Sequence, residues 1–239
     1  MRLDKLLAHC GFGSRKEIKA LLKKQQVTVN GLRIKDGKQP VDPASEIVEV
    51  DGRVVHYQAY YYWMLHKPAG VISATEDAHA RTVLDLLAPE DRLLSPFPVG
   101  RLDKDTEGLL LITNDGELAH QLLSPKRHVD KRYLARITGG PVTEETIQQF
   151  ADGVTLKDGY EAMPARLSVL KQSAQVDEVE IVIQEGKFHQ VKRMFEAVGM
   201  KVTYLKRIQM GSLQLDDTLP IGSYRPLTTE ELAALKGAS

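Results

Sequence analysis

The sequence predicts an α+β protein in two parts: a small head of two helices and a β-ribbon, and a larger body with a mixed β-sheet and flanking helices. Three observations support this. The first 38 residues contain helical spacing, a capping signal and a hairpin signal. An aromatic run then begins at Tyr60, and strand-like and helix-like segments alternate from there onward. Residues 1–59 and 60–239 are therefore predicted to form separate domains.

The head is predicted to begin with two short helices. Leu3, Leu6 and Leu7 recur at helical spacing, and a Gly-Phe-Gly turn ends this first helix. Ser14 and Glu17 are three residues apart, which is the spacing of a capping box that opens the second helix. Alternating apolar residues then surround Asn-Gly within 27–34, a strong hairpin signal, and 46–50 is a further strand candidate.

The body mixes both kinds of element. Alternating or continuous apolar runs predict strands at 108–113, 132–137 and 178–183. Apolar residues at helical spacing predict helices at 116–123, 144–150 and 189–198, the last ending before a glycine. We therefore expect one mixed sheet with helices packed on it.

Charge is distributed unevenly along the chain. The formal net charge is zero, but residues 1–38 contain ten lysines and arginines against three acidic residues. The head therefore has a charge of +7, and the remainder must have −7. This asymmetry favours a head that binds a polyanion such as nucleic acid, although a solvated helix face would have the same composition.

Several classes of protein are not expected. The apolar runs are too short to span a bilayer, and the first residues lack the apolar stretch of a signal peptide. A single cysteine, Cys10, excludes an internal disulfide and is typical of a reducing cytoplasm. The seven histidines show no metal-ligand spacing, and no glycine-rich phosphate loop follows a strand. We expect a cytoplasmic protein without a metal or a membrane partner.

A charge-dense loop at 100–108 is the first candidate for chemistry. Arg101 and Lys104 flank Asp103, and their charges would favour its ionised form. An ionised, positioned carboxylate can act as a nucleophile or a base. Taken alone, the loop is more simply explained as a surface turn with a salt bridge.

Two basic clusters follow. Lys131 and Tyr133 lie among cations, a combination suited to base stacking and phosphate contact, although a core tyrosine would fit the same pattern. Lys187, Lys192 and Arg193 lie near a loop-to-helix junction, where they can bind phosphate, pair with a carboxylate or form a solvated basic face.

Taken in order, these motifs resemble the Rsu branch of the pseudouridine synthases. The resemblance covers nearly the whole chain. Its head resembles the S4 RNA-binding domain. The body motifs are Lys-Pro-Ala-Gly at 67–70, Gly-Arg-Leu-Asp at 100–103, Lys131 with Tyr133, and Glu-Gly-Lys to Gln-Val-Lys-Arg-Met at 185–194. The resemblance implies an S4 domain followed by a catalytic domain with a mixed, largely antiparallel sheet.

The resemblance also implies roles for single residues. Asp103 would attack the target nucleotide at C6 of the base or C1′ of the sugar, Tyr133 would stack on the uracil, and Lys192 would be the cation facing Asp103. Arg101 would hold the RNA or fill the space left by the extruded base. The isomerisation moves no electrons to an acceptor, so no cofactor is expected. Together with the basic head, the resemblance implies further RNA contacts from Arg193, Lys131, Lys187, Arg2, Lys5, Ser14, Arg15, Lys16 and Lys19.

The expected substrate is 16S ribosomal RNA within a partly assembled small subunit, modified at uridine 516 by a monomeric enzyme. Phe188-His189 and the tail 224–228 are most similar to branch members that act on 16S RNA. Members acting on 23S RNA more often have an Asn-Arg pair in place of Phe188-His189.

Three alternatives remain from the sequence. One is a pseudouridine synthase for 23S RNA, and another is an inert RNA-binding assembly factor. The third is a glycoside hydrolase that pairs Asp103 with Asp105 or Glu107, since that chemistry uses two carboxylates flanking the scissile bond.

Overall fold

The computed structural model describes residues 1–24 and 27–237. Its contacts divide the chain into two units, Met1–Tyr61 with Leu87–Phe97, and Tyr62–Leu86 with the residues from Pro98 onward. The predicted domain boundary after residue 59 lies inside the first unit, near the end of that unit's main segment. Within the described residues, no helix is both long enough and apolar enough to cross a membrane.

The main segment of the first unit, Met1–Tyr61, is built as the sequence predicts, from two helices and a small antiparallel sheet. Its elements are α1 (Leu3–His9), α2 (Arg15–Lys24), β1 (Val27–Val29), β2 (Leu32–Arg33), β3 (Val48–Val50) and β4 (Arg53–Val54), with strand order β2-β1-β3-β4. Asn30 and Gly31 both have positive φ angles in the turn between β1 and β2, as a tight hairpin requires. The Ser14 backbone N–H donates to Glu17 Oε2 at 2.7 Å, and the Glu17 N–H donates to Ser14 Oγ at 3.5 Å, which confirms the predicted capping box.

Helical spacing explains the core of this unit. Leu3, Leu6 and Leu7 on α1 and Ile18 and Leu22 on α2 are buried together against the valines of β1 and β3. Cys10 packs at the edge of this core, and burial raises the pKa of its thiol to about 11. The basic side chains of α2 are left on its solvent face.

The remaining elements follow in chain order. The strands are β5 (Tyr62–Lys67), β6 (Phe97–Pro98), β7 (Glu107–Thr113), β8 (Lys131–Thr138), β9 (Arg166–Lys171), β10 (Asp177–Ile183), β11 (Lys201–Met210), β12 (Leu213–Gln214) and β13 (Tyr224–Pro226). The helices are α3 (Pro89–Arg92), α4 (Gly116–Leu123), α5 (Glu144–Asp152), α6 (Gln190–Ala197) and α7 (Thr229–Gly237), with 3-10 turns at Val83–Leu86 and Pro125–Arg127.

One mixed sheet organises the second unit. Its main strand order is β13-β5-β7-β11-β8-β10-β9, and within this order only β7 and β11 pair in parallel. The prediction of a mixed, largely antiparallel sheet with flanking helices is confirmed.

The parallel pair requires a glycine. Gly108 on β7 has a φ of +106°, and a Cβ built there would lie 2.1 Å from the carbonyl oxygen of Arg207 on β11. A side chain at 108 would therefore separate the two strands or distort their backbones. This close approach sets the strand that follows the 101–106 loop directly against β11.

Candidate active site

A buried lysine fixes the backbone of the loop that contains Asp103. Lys67 ends β5 and is fully buried, and its Nζ donates to the carbonyl oxygens of Asp103 at 3.1 Å, Thr106 at 2.8 Å and Lys104 at 3.4 Å. It also donates to the Pro68 carbonyl at 3.0 Å. Burial lowers the pKa of Lys67 to about 8. Lys67 thus positions the loop through backbone groups and leaves the Asp103 carboxylate available for chemistry.

The segment after Lys67 holds the same loop from a second side. The Gly70 N–H donates to the Lys104 carbonyl at 2.7 Å. Ser73 Oγ accepts from the Leu102 N–H and donates to the Leu102 carbonyl, each at 3.0 Å. The loop is irregular in conformation but extensively hydrogen-bonded, which is the kind of support a catalytic side chain needs.

Lys192 is the cation that faces Asp103. Its Nζ lies 3.0 Å from Asp103 Oδ2 and donates to Asp105 Oδ1 at 2.6 Å. His189 Nε2 lies 3.7 Å from Asp103 Oδ1. Arg101 and Lys104, the sequence neighbours expected to favour the ionised form of Asp103, do not occupy this position. The structure brings Asp103 and Lys192 together as the resemblance implies.

The charges of this cluster support one another. Burial acts to lower the pKa of Lys192, but the hydrogen bonds to Asp105 and Asp103 outweigh it, and the net shift is upward. The hydrogen bond from Lys192 lowers the pKa of Asp105. Lys192 is therefore a fixed ammonium group at neutral pH.

Tyr133 shares a pocket with Asp103. On β8, alternate residues are buried, and Tyr133 is one of these. The pocket that it lines also contains Asp103, Thr106, His189 and Leu205. The Thr106 hydroxyl is buried and has no hydrogen-bond partner within 1–24 and 27–237.

A second cavity of about 470 Å³ adjoins this pocket and shares Tyr133, Arg101 and Lys187 with it. Lys131 lines the cavity but is buried, and its Nζ donates to the carbonyl oxygens of Val129 at 2.8 Å and Gln184 at 3.1 Å. Burial, together with the charge of Arg207, lowers the pKa of Lys131 to about 8. Its contact with RNA stays a prediction, and the observed bonds give it a role in holding the cavity wall.

Residues 185–190 form a rigid edge beside the pocket. Gln190 Oε1 accepts from the Lys187 N–H at 2.8 Å, and Gln190 Nε2 donates to the Glu185 carboxylate. Arg193 pairs with Asp158 and is partly buried. Lys187 is exposed, with its ammonium 5.1 Å from the centre of the Tyr160 ring.

The predicted RNA contacts of the head lie on its surface. Arg2 is exposed and pairs with Asp4 at 2.5 Å. The other predicted contacts are also exposed, namely Lys5, Ser14, Arg15, Lys16 and Lys19. Their part in RNA binding stays a prediction.

The site residues predicted from the sequence did not include Lys67, Thr106 or His189, and Asp105 was considered only for the glycoside hydrolase alternative. Lys67 belongs to the Lys-Pro-Ala-Gly motif at 67–70. Its four partners are backbone carbonyl groups, and any residue type has such a group, so no sequence pattern predicts these bonds. Within the described ranges, no group of three His, Cys, Asp or Glu side chains is arranged to hold a metal ion.

Both parts of the chain match known families. Residues 61–197 match the model for RNA pseudouridylate synthases, and residues 1–47 match the model for the S4 domain. The chain is 50% identical over 235 residues to an uncharacterized RNA pseudouridine synthase YtzG of Bacillus subtilis strain 168, covering 98% of each chain.

Further relatives have names that specify a ribosomal subunit. A ribosomal small subunit pseudouridine synthase A of Yersinia pestis is 41% identical over 237 residues, covering 98% of both chains. A ribosomal large subunit pseudouridine synthase B of Bacillus subtilis is 39% identical, covering 98% of this chain and 95% of the other.

A solved structure agrees with these matches. A crystal structure of a pseudouridylate synthase superposes with a TM-score of 0.68 at 33% identity, covering 98% of this chain and 99% of the other. The predicted fold class and family resemblance are confirmed. The chain belongs to the Rsu branch of the RNA pseudouridine synthases, isomerases that convert uridine to pseudouridine.

Proposed function

We propose that this protein converts uridine 516 of 16S ribosomal RNA to pseudouridine, acting as a cytoplasmic monomer on a partly assembled small subunit. The observation that carries the catalytic part of this proposal is the 3.0 Å pair of Asp103 and Lys192 beside a pocket that Tyr133 lines. A carboxylate held next to a fixed cation is suited to act as a nucleophile.

In the proposed reaction, Asp103 attacks the extruded nucleotide and the bond between N1 and C1′ breaks. The uracil turns and C5 bonds to C1′. The bond between Asp103 and the nucleotide breaks and returns its electron pair to the carboxylate, the C5 proton is lost, and N1 gains a proton. Electrons and atoms balance without an acceptor. Extruding the base costs about a few kcal/mol, and stacking on Tyr133 returns roughly 1–3 kcal/mol. Lys192 stays hydrogen-bonded to the carboxylate and keeps it oriented.

Two observations support 16S RNA as the substrate. Several relatives at about 40% identity are named small subunit synthases. In addition, Phe188-His189 resembles the pair expected in branch members that act on 16S RNA. The relative named for the large subunit has nearly the same identity, so overall identity does not separate the two substrates. The choice of 16S over 23S RNA therefore depends on the resemblance at Phe188-His189.

Chemical mapping of pseudouridine tests this substrate. We expect wild-type protein to produce one new stop at uridine 516 in 16S RNA or in partly assembled small subunits, and none in 23S RNA. A stop in 23S RNA would show that the protein is a pseudouridine synthase whose substrate is 23S and not 16S RNA. Failure on free RNA and on both kinds of ribosomal particle would favour the assembly-factor alternative.

The head is expected to contribute most of the salt-dependent RNA affinity. Arg15, Lys16 and Lys19 are exposed on α2, so changing all three to alanine removes charge without disturbing the buried face of the helix. The slope of log affinity against log salt should fall in magnitude by roughly 2 to 3. Neutralising three exposed lysines of the second unit, Lys157, Lys171 and Lys201, is the matched control. Equal slopes for the two triple variants would show that α2 does not anchor the RNA.

A further inference from the structure

An exposed aromatic pair stands at the edge of the active-site pocket. Phe188 is 75% exposed, a large fraction for a phenylalanine. Its ring lies 3.8 Å from the His189 ring, and the two planes differ by 16°, so the rings are stacked. The face of Phe188 that does not meet His189 is open to solvent. This arrangement leaves one layer of an aromatic stack uncovered.

The pair is fixed in place from beneath. His189 has a left-handed backbone, with a φ of +51°, immediately before α6. A residue other than glycine keeps this conformation where its surroundings hold it. Gln190 supplies that hold by bonding the backbone of Lys187 and the Glu185 carboxylate. Arg193 Nη1 lies 3.4 Å from the Phe188 carbonyl oxygen and donates to it.

The two rings differ in their relation to the pocket. His189 lines the pocket and reaches to within 3.7 Å of Asp103. Phe188 is outside the pocket lining and continues the stack outward. A uridine beside Asp103 would therefore occupy the pocket, and a group stacked on Phe188 would lie outside it.

The surrounding charges indicate what that group is. Lys187 adjoins Phe188 in sequence and is exposed, and Arg193 contacts the Phe188 carbonyl. Arg193 is paired with Asp158, so the exposed ammonium of Lys187 is the cation beside this flat apolar ring, a combination that suits a nucleobase whose phosphate contacts Lys187. An aliphatic ligand would contact the ring without using the positive charge, and an acidic ligand would use the charge without stacking on the ring.

We propose that Phe188, supported by His189, is a stacking site for the nucleobase next to the target uridine in the RNA. This inference rests on the proposed function, because it assumes that the uridine enters the pocket beside Asp103. Phe188 then holds the RNA strand after the uridine has left its own stack and takes no part in the bond changes.

Steady-state kinetics on the RNA that the wild-type protein modifies test this site. Phe188→Ala should raise KM by roughly 10-fold, in line with the loss of one base–aromatic stack, and should leave kcat within about twofold. Phe188→Leu should behave as the alanine variant does, whereas Phe188→Tyr should match the wild type. Leu170→Ala removes another exposed apolar side chain, 57% exposed on β9, and should change nothing.

A KM for Phe188→Ala or Phe188→Leu equal to that of the wild type would overturn the proposal. A loss confined to kcat would also overturn it, because it would mean that Phe188 acts through His189 on Asp103. Folding is checked by thermal unfolding, and the high exposure of Phe188 predicts an unchanged midpoint.

Abasic nucleotides identify the base. With an RNA lacking the base on one side of the target, Phe188→Ala should have no further effect on the dissociation constant. An undiminished effect with both abasic RNAs would contradict stacking. Dissociation constants for 16S and 23S fragments separate this inference from the proposed function. If Phe188→Ala weakened RNA binding but the wild-type protein formed no pseudouridine, the proposed function would be rejected and the stacking site retained. If RNA binding did not depend on Phe188 and no pseudouridine was formed, both the stacking site and the proposed function would be rejected.

Discussion

Asp103→Asn is expected to abolish pseudouridine formation, with a loss on the order of 10⁴-fold or more, while RNA binding stays nearly unchanged. Asparagine keeps the shape of the side chain but removes the negative charge and the nucleophile. Lys192 would not be left buried without a counterion, because its Nζ also donates to Asp105 at 2.6 Å. The fold should therefore survive. Chemical mapping of the treated RNA and a binding assay measure the two effects separately.

Asp105→Asn is the matched control for this change. Asp105 shares Lys192 with Asp103 but its side chain is 73% exposed, and it lies outside the pocket lining. We expect this variant to retain product formation, since Lys192 keeps its 3.0 Å contact with Asp103. Product from Asp103→Asn would remove Asp103 as the nucleophile. Equal loss in the two variants would assign the reaction to the carboxylate pair.

Lys192→Met is expected to lower kcat by about 10²- to 10³-fold, which is the usual effect of removing one preorganised donor from an active site. Methionine has a similar length and flexibility, so it fills the space of the lysine chain but cannot hydrogen-bond to Asp103. The Asp103 carboxylate would then lose the hydrogen-bond donor that orients it. Its side chain is only 23% exposed, so the carboxylate would also be left largely buried without its cation. KM should change little because Lys192 faces the carboxylate.

Lys192→Arg separates charge from shape. It keeps the cation, so we expect activity within about 10-fold of the wild type. Lys171→Met, at an exposed lysine on β9, controls for loss of a positive charge elsewhere. If Lys192→Met kept full activity, the pair with Asp103 would be structural. If Lys192→Arg were as inactive as Lys192→Met, charge alone would not be the requirement.

Much of the fold could be predicted because its signals are local. The capping box at Ser14, the Asn-Gly turn and the alternating burial on β8 each follow from residues close in sequence. The pairing of Asp103 with Lys192 could be expected only from resemblance, because the two lie far apart along the chain and meet through the sheet.

The strand β11 was missed for a physical reason. It lies between β7 and β8, yet its sequence contains Lys206 and Arg207 where a central strand usually has apolar residues. Two register shifts against β8 also break its alternation. The buried Arg207 side chain donates from Nε to the Leu109 carbonyl at 2.9 Å, a partial compensation that only the folded neighbour provides, while its Nη2 is buried without a partner among the described residues.

The position of β11 in the sheet also determines when the enzyme can become active during its synthesis. β7 pairs with β5, and β8 pairs with β10. Among the described strands, β11 is the one that joins these two halves of the sheet, and it is synthesised after all four. Until then the inner edges of β7 and β8 have unpaired backbone N–H and C=O groups, which can pair with strands of other chains and lead to aggregation. Contacts between such distant segments also form slowly. Asp103 precedes β7 and Tyr133 lies on β8, so the two sides of the active site come together only after β11 has been synthesised and has paired with both strands.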